Sequence, residues 1–199
     1  MTTSTRGLIL NTKAEWRTVA VIVAVYAGTI AVVGNHDRLT GWVTVPLLAW
    51  FGAWHLSMQH ELLHGHPFSK SWMNDAVASI PLNLWIPYLI YKPDHLEHHR
   101  TDLTTPGLDN ESYYVDPSDW ERMSAIRRGY HWANRTILFR IFVYTIFSTV
   151  QYHTAKLREV VRGDRTTIRA YFLHIAMLVP VMWLVVDVAG MPWWQYVLG

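Results

Sequence analysis

The sequence predicts an all-α integral membrane protein. About three transmembrane helices are expected, with further re-entrant or interfacial helices and a histidine-rich face toward the cytosol. Three observations predict this class. Hydrophobic residues make up 51% of the chain, which also holds eleven tryptophans and ten tyrosines, an aromatic load suited to membrane interfaces. Apolar runs at 18–34, 42–58 and 170–189, charged only at Asp187, approach the length that crosses a hydrocarbon core of about 30 Å at about 1.5 Å per residue. Eight of the eleven histidines fall between His36 and His99, six of them just beyond the end of the second run, in or directly beside two short boxes. The 199 residues suit one domain, and we take 1–199 as a single membrane domain.

The elements follow in order. Met1 to Arg17 is polar, and no small-residue cleavage site follows the first run, so 18–34 reads as a retained membrane segment rather than a cleaved signal. Asn35 to Gly41 is a polar loop, and 42–58 returns as the second arm of a helical hairpin. Pro46 sits in the first turns of that arm, where a missing backbone donor is tolerated best. The plainer alternative is a buried hairpin of a soluble protein.

Residues 76–91 are apolar but contain Pro81, Asn83 and Pro87, which argue against a clean span. A segment that starts and ends on one side, re-entrant or interfacial, fits better. Residues 101–118 read as a turn-rich loop, 119–130 as a short amphipathic helix. The stretch 136–151 is apolar apart from Arg140; a mid-span arginine is costly, so a helix in the interface with Arg140 snorkelling is expected. Residues 156–169 are basic, and 170–189 is a span with Pro180 inside it and Asp187 near its far end. An interfacial turn at 191–194 precedes the start of another element.

Charge fixes the orientation. With spans at 18–34, 42–58 and 170–189, sixteen of the seventeen Lys and Arg residues lie on one side; only Arg38 is opposite. The positive-inside rule makes that side cytosolic, and it carries the histidine clusters. The net charge of +2 gives no bulk argument for nucleic acid. The absence of cysteine excludes disulfides, thiolate metal sites and cysteine-held iron–sulfur clusters, so a transition metal must be held by nitrogen and oxygen.

Two boxes carry the chemistry: His60-Glu-Leu-Leu-His64, followed by Gly65-His66, and His95-Leu-Glu-His98-His99. His60 and His64 are helical neighbours at i, i+4, as are His95 and His99, while His95 and His98 are neighbours at i, i+3. His98 and His99 diverge by about 100° on a helix, which suits two adjacent metals better than one. Five imidazoles exceed the three protein ligands of an open zinc site. Glu61, Asp94 and Glu97 are candidates to fix ring tautomers or, more plainly, solvated carboxylates. For His66 the direction is open. His55, His36, His131, His153 and His174 read as packing or surface residues, His174 being the one to test because it lies inside a span.

HELLH and HLEHH at this separation, after a membrane hairpin, resemble the integral-membrane fatty-acid desaturase and hydroxylase superfamily. The stretch from Gln59 to Tyr114, with HELLHGHP, HLEHHR and LDNESYY, is similar to bacterial fatty-acid desaturase-type proteins. The resemblance implies two Fe ions held by His60, His64, His95, His98 and His99, with O2 as cosubstrate. It implies hydrogen removal from a lipid acyl chain, electrons from a ferredoxin- or cytochrome b5-type donor, no nucleic acid, and a place in the bacterial inner membrane with the boxes cytoplasmic. The family's third box, HxxHH or QxxHH, has no counterpart before Gly199. A C-terminally truncated chain, inactive on its own, is therefore expected.

Other readings stay open on the sequence. Hydroxylation or ketolation of lipids, alkanes or carotenoids uses the same metal chemistry. HELLH also satisfies HExxH, the zinc-protease helix with Glu61 as general base, but the extended motif fails at Pro67 and Lys70 and the second box goes unused. A metal transporter would place its ligands near the middle of its spans rather than at an edge.

Overall fold

The computed structural model describes residues 15–109 and 114–199; most of the polar N-terminal segment, and four residues within the LDNESYY stretch, lie outside them. Among the described residues every regular element is helical. The helices are α1 (Trp16–Gly34), α2 (Gly41–Leu63), α3 (Ser71–Ala78), α4 (Tyr88–His98), α5 (Pro117–Arg122), α6 (Ala125–Ala133), α7 (Ile137–Phe139), α8 (Thr145–Val161), α9 (Arg165–Trp183) and α10 (Trp193–Leu198). A π-helical turn, Arg140–Tyr144, joins α7 to α8, and another, Leu184–Val188, extends α9. Packing divides the chain into two compact units, one running to Tyr88 and resuming at Phe172–Gly199, the other Leu89–Tyr171.

Two helical stretches are long and apolar enough to cross a membrane, Trp16–Gly34 and the 24-residue Arg165–Val188. Only 6% of the second stretch's apolar window is buried by protein. The core helix of a soluble protein would hide such a surface, so hydrocarbon is its natural solvent. The third expected span, 42–58, lies within α2. That helix has the length, 23 residues, but Thr44, His55, Ser57 and Gln59 dilute its apolar character. Length and composition thus support two of the three expected spans.

In the first unit α1 and α2 form the expected hairpin. Gly28 lets them approach: a Cβ there would collide with the ring of Phe51. The core gathers Val32, Val33 and Leu48 from the hairpin with Val185, Met191 and Tyr196. The proline-bearing segment after α3 is not a span. It leaves the helix after Ala78 and regains it at Tyr88, so its carbonyls need other partners. Side chains supply them: Tyr26 Oη donates to Val77 O (2.8 Å), Gln59 Nε2 to Ala78 O (2.8 Å), His55 Nε2 to Ile80 O (3.1 Å), Tyr196 Oη to Leu82 O (3.3 Å) and His174 Nε2 to Leu84 O (3.0 Å). Protein donors thus satisfy the carbonyls that the irregular backbone leaves open.

In the second unit the single amphipathic helix expected at 119–130 is two helices. Asp116 caps α5 by accepting from Ser118 N, and the chain breaks at Met123 before Ser124 caps α6 by accepting from Arg127 N. A serine side chain that takes an amide of the next turn starts a new helix rather than continuing the old one. Helical structure then runs from Ile137 to Val161, with the π turn beginning at Arg140.

Candidate metal centre

The first box sits where α2 ends. The helix continues past the apolar run to Leu63, with His64 at its C-cap, so the i, i+4 geometry of His60 and His64 is realised. Their rings meet edge to face with centroids 4.7 Å apart. Gly65 then takes φ +93°, a left-handed conformation that ends the helix and turns the chain away directly after His64. The following turn is pinned by the buried Asn74, whose Oδ1 accepts from Phe68 N (3.1 Å) and whose Nδ2 donates to Phe68 O (2.8 Å).

The second box occupies the last turn of α4 and the residue after it. His95 is buried, His98 half-buried and His99 exposed. His95 Nε2 and His99 Nε2 face each other at 3.0 Å. That is a hydrogen-bond distance, with one ring donating to the other, and it brings two imidazole nitrogens to one point at the end of α4. The rings of His98 and His99 lie 5.3 Å apart at 65°, diverging as adjacent helical residues must.

His98 is aimed by a carboxylate that the sequence reading missed. Its Nδ1 lies 2.8 Å from Asp109 Oδ1, whose side chain is only 1% exposed. A carboxylate can only accept, so Nδ1 carries the proton and the ring's orientation is fixed from that side. The loop between them is ordered by Asp102, which accepts from Thr105 Oγ1 (2.7 Å) and from the amide and hydroxyl of Thr104. These bonds, first that of Thr105 and then those of Thr104, hold the Asp102 carboxyl down to about 2.

Of the two readings open for Glu61, Asp94 and Glu97, the contacts favour the plainer one. Glu61 stands 3.4 Å from His60 Nδ1, a long contact with both groups well exposed. Asp94 pairs instead with Lys156 Nζ at 3.1 Å, and Glu97 points outward to Arg100 at 4.0 Å. His66 turns away from the other imidazoles, its Nδ1 2.8 Å from Glu15. His55 and His174 bond the carbonyls named above. His153 Nδ1 meets Tyr171 Oη at 2.9 Å, His36 Nδ1 meets Val33 O at 2.9 Å, and the His131 ring packs edge-on against Trp120 and Tyr130.

A cleft of about 370 Å³ lies along α1 and α2 at the level of the first box. It is walled by Val21, Ile22, Trp54 and Met58, with Arg17 and Glu61 at its polar edge.

The family model for fatty acid desaturases matches residues 38–199. The chain belongs to the fatty acid desaturase family. Neither a curated protein nor a solved structure matches it. Membership makes this desaturase-family chain a membrane oxidoreductase of the desaturase and hydroxylase type, and the peptidase reading of HELLH gives way. The donor set fits the di-iron centre typical of that family. Within each pair, His60 with His64 and His95 with His99, ligand nitrogens lie within 4.8 Å of one another, and imidazole nitrogen suits iron.

Proposed function

We propose that this chain serves a di-iron, O2-dependent membrane oxidoreductase that desaturates fatty acyl chains. The observation that supports the reading is the second box: His95 and His99 bring ring nitrogens to 3.0 Å of each other, and Asp109 orients the ring of His98 beside them. His60, His64, His95, His98 and His99 would hold the metals. When bound, two irons would supply O2 activation and the oxidising power to take hydrogen from an unactivated carbon.

The chain's own residues do the rest. Asp109 holds the Nδ1 proton of His98 and with it the ring's orientation. Glu61, beside His60 Nδ1, gives that ring a weaker version of the same support. The apolar cleft beside the first box, with Arg17 at its edge, has the character needed by an amphiphile with a fatty chain and a polar head. The charge distribution of the sequence favours a cytoplasmic face for the boxes in a bacterial inner membrane, where a ferredoxin- or cytochrome b5-type protein can deliver electrons.

The test is a lipid profile of cells expressing the full gene, alongside a strain carrying His95→Ala and His99→Ala. New unsaturated acyl chains in the first strain only are expected. A hydroxylated product instead would move the assignment to the hydroxylase branch, and no new product of either kind would overturn it.

A further inference from the structure

Residues 122–169 hold ten Lys and Arg against two acidic residues, Glu159 and Asp164, a balance of +8 in a chain whose net charge is +2. The remaining residues therefore sum to −6, so the excess of positive charge is confined to this segment of the second unit. It coincides with an exposed apolar surface. On α6, at about 100° per residue, Ile126, Gly129, Tyr130 and Ala133 share one arc while Arg127, Arg128 and His131 occupy the opposite one. Ile126 is 86% exposed, and Trp132, at the border of the two arcs, is 67% exposed.

The same arrangement continues beyond Thr136. Ile137, Ile141, Phe142, Ile146, Val150, Leu157 and Val161 are all exposed and recur every three or four residues or close multiples. The π-helical turn at Arg140–Tyr144 adds the residue that keeps Ile141 and Ile146 on one stripe. Arg135, Arg158 and Arg162 are exposed along the same stretch. An apolar stripe flanked by arginines, with tryptophan at the boundary, is the pattern of a helix lying in a bilayer surface.

We propose that α6 to α8 form an anionic-phospholipid docking surface, with the apolar stripe in the acyl boundary and the flanking arginines on headgroup phosphates. Arginine suits this role because its planar guanidinium grips a phosphate with two donors at once. The surface would hold the second unit against the membrane independently of the spanning helices, and would make its seating depend on lipid charge.

The natural absence of cysteine gives a clean test. The full chain carrying Leu138→Cys, an exposed apolar position between the stripe residues Ile137 and Ile141, is labelled with a fluorophore and reconstituted in mixed phosphatidylcholine and phosphatidylglycerol vesicles. Bromine is placed on the chains of one lipid or the other. Brominated phosphatidylglycerol should quench more strongly than brominated phosphatidylcholine at position 138, and equally at a control label on Val179→Cys in α9. Arg127→Gln or Arg128→Gln should each reduce the preference about fivefold, the equivalent of about 1 kcal/mol per arginine near an anionic surface, and high salt should erase it. Equal quenching by the two lipids at position 138 would overturn the proposal. A shielded label that neither lipid quenches would overturn it too, by assigning the face to a protein partner.

Discussion

Asp109 offers the sharpest test of the candidate centre. Its side chain is 1% exposed and its Oδ1 lies 2.8 Å from His98 Nδ1. Asp109→Ala removes the acceptor that fixes the ring and its tautomer. Loss of such a partner typically weakens metal binding by about 10–100-fold, or about 1.4–2.7 kcal/mol. The buried Nδ1–H also loses its acceptor, which costs about 1–3 kcal/mol of stability. Asp109→Asn separates the two effects. Its carbonyl oxygen still accepts from Nδ1, so the fold and tautomer should survive while the charge is lost, and the affinity should fall by less than in the alanine variant. The assay is an equilibrium titration of purified protein with Co(II) as an optical stand-in for Fe(II), read beside thermal unfolding in detergent. If Asp109→Ala binds Co(II) as the parent does while remaining folded, Asp109 has no hold on a ligand and the reasoning is wrong.

Three further outcomes follow from the packing. His174→Phe strands the Leu84 carbonyl that His174 Nε2 meets at 3.0 Å. It should lower stability by about 1–3 kcal/mol with metal binding unchanged, read by thermal unfolding and the same titration. Gly28→Val drives a side chain into the Phe51 ring at the α1–α2 crossing; overpacking of this kind costs about 1–3 kcal/mol and should lower the midpoint of thermal unfolding. The Asp164 carboxyl is held below its ordinary value, first by the Thr167 amide (2.8 Å) at the start of α9. A depressed carboxyl stabilises above its unfolded pKa of about 3.9 and loses that contribution as pH falls through the folded value. The protection factor of the Thr167 amide, its exchange rate relative to the intrinsic rate at each pH, should therefore fall as the pH drops below the ordinary carboxylate range and stay level above it, and Asp164→Asn should flatten the response.

The parts of the site that were legible in the sequence are those set by helical period. Residues four apart share a face, so His60 with His64 and His95 with His99 could be paired before any coordinates. The same rule explains why Asp94 and Glu97 take partners other than the rings. Asp94 is one residue before His95 and Glu97 two after it, offsets of about 100° and 200° around the helix, so neither faces the ring it was meant to support. Asp94 finds Lys156 and Glu97 finds Arg100 instead. The residue that aims His98 comes from a loop eleven positions on, held there by the Asp102 turn, and no helical period reaches it. Only the LDN that begins the LDNESYY stretch marked its neighbourhood.

The polar residues within the apolar helices pose a different problem. An ionisable group at membrane depth points to function by default, and His174 was singled out on that ground. The prolines of 81–87 supply the other half of the explanation. By forbidding a continuous helix they free carbonyls that water cannot satisfy, and each freed carbonyl calls for a donor. Tyr26, His55, Gln59, His174 and Tyr196 come from four different helices and all donate to backbone oxygens between Val77 and Leu84. The prolines and the intramembrane donors are thus two halves of one device, which braces the broken segment leading into α4. Neither half is interpretable alone, because the pairing spans up to 114 residues of sequence, from Leu82 to Tyr196. Two of the histidines hold backbone here, so His55 and His174 serve the broken segment and are not part of the boxes at the ends of α2 and α4.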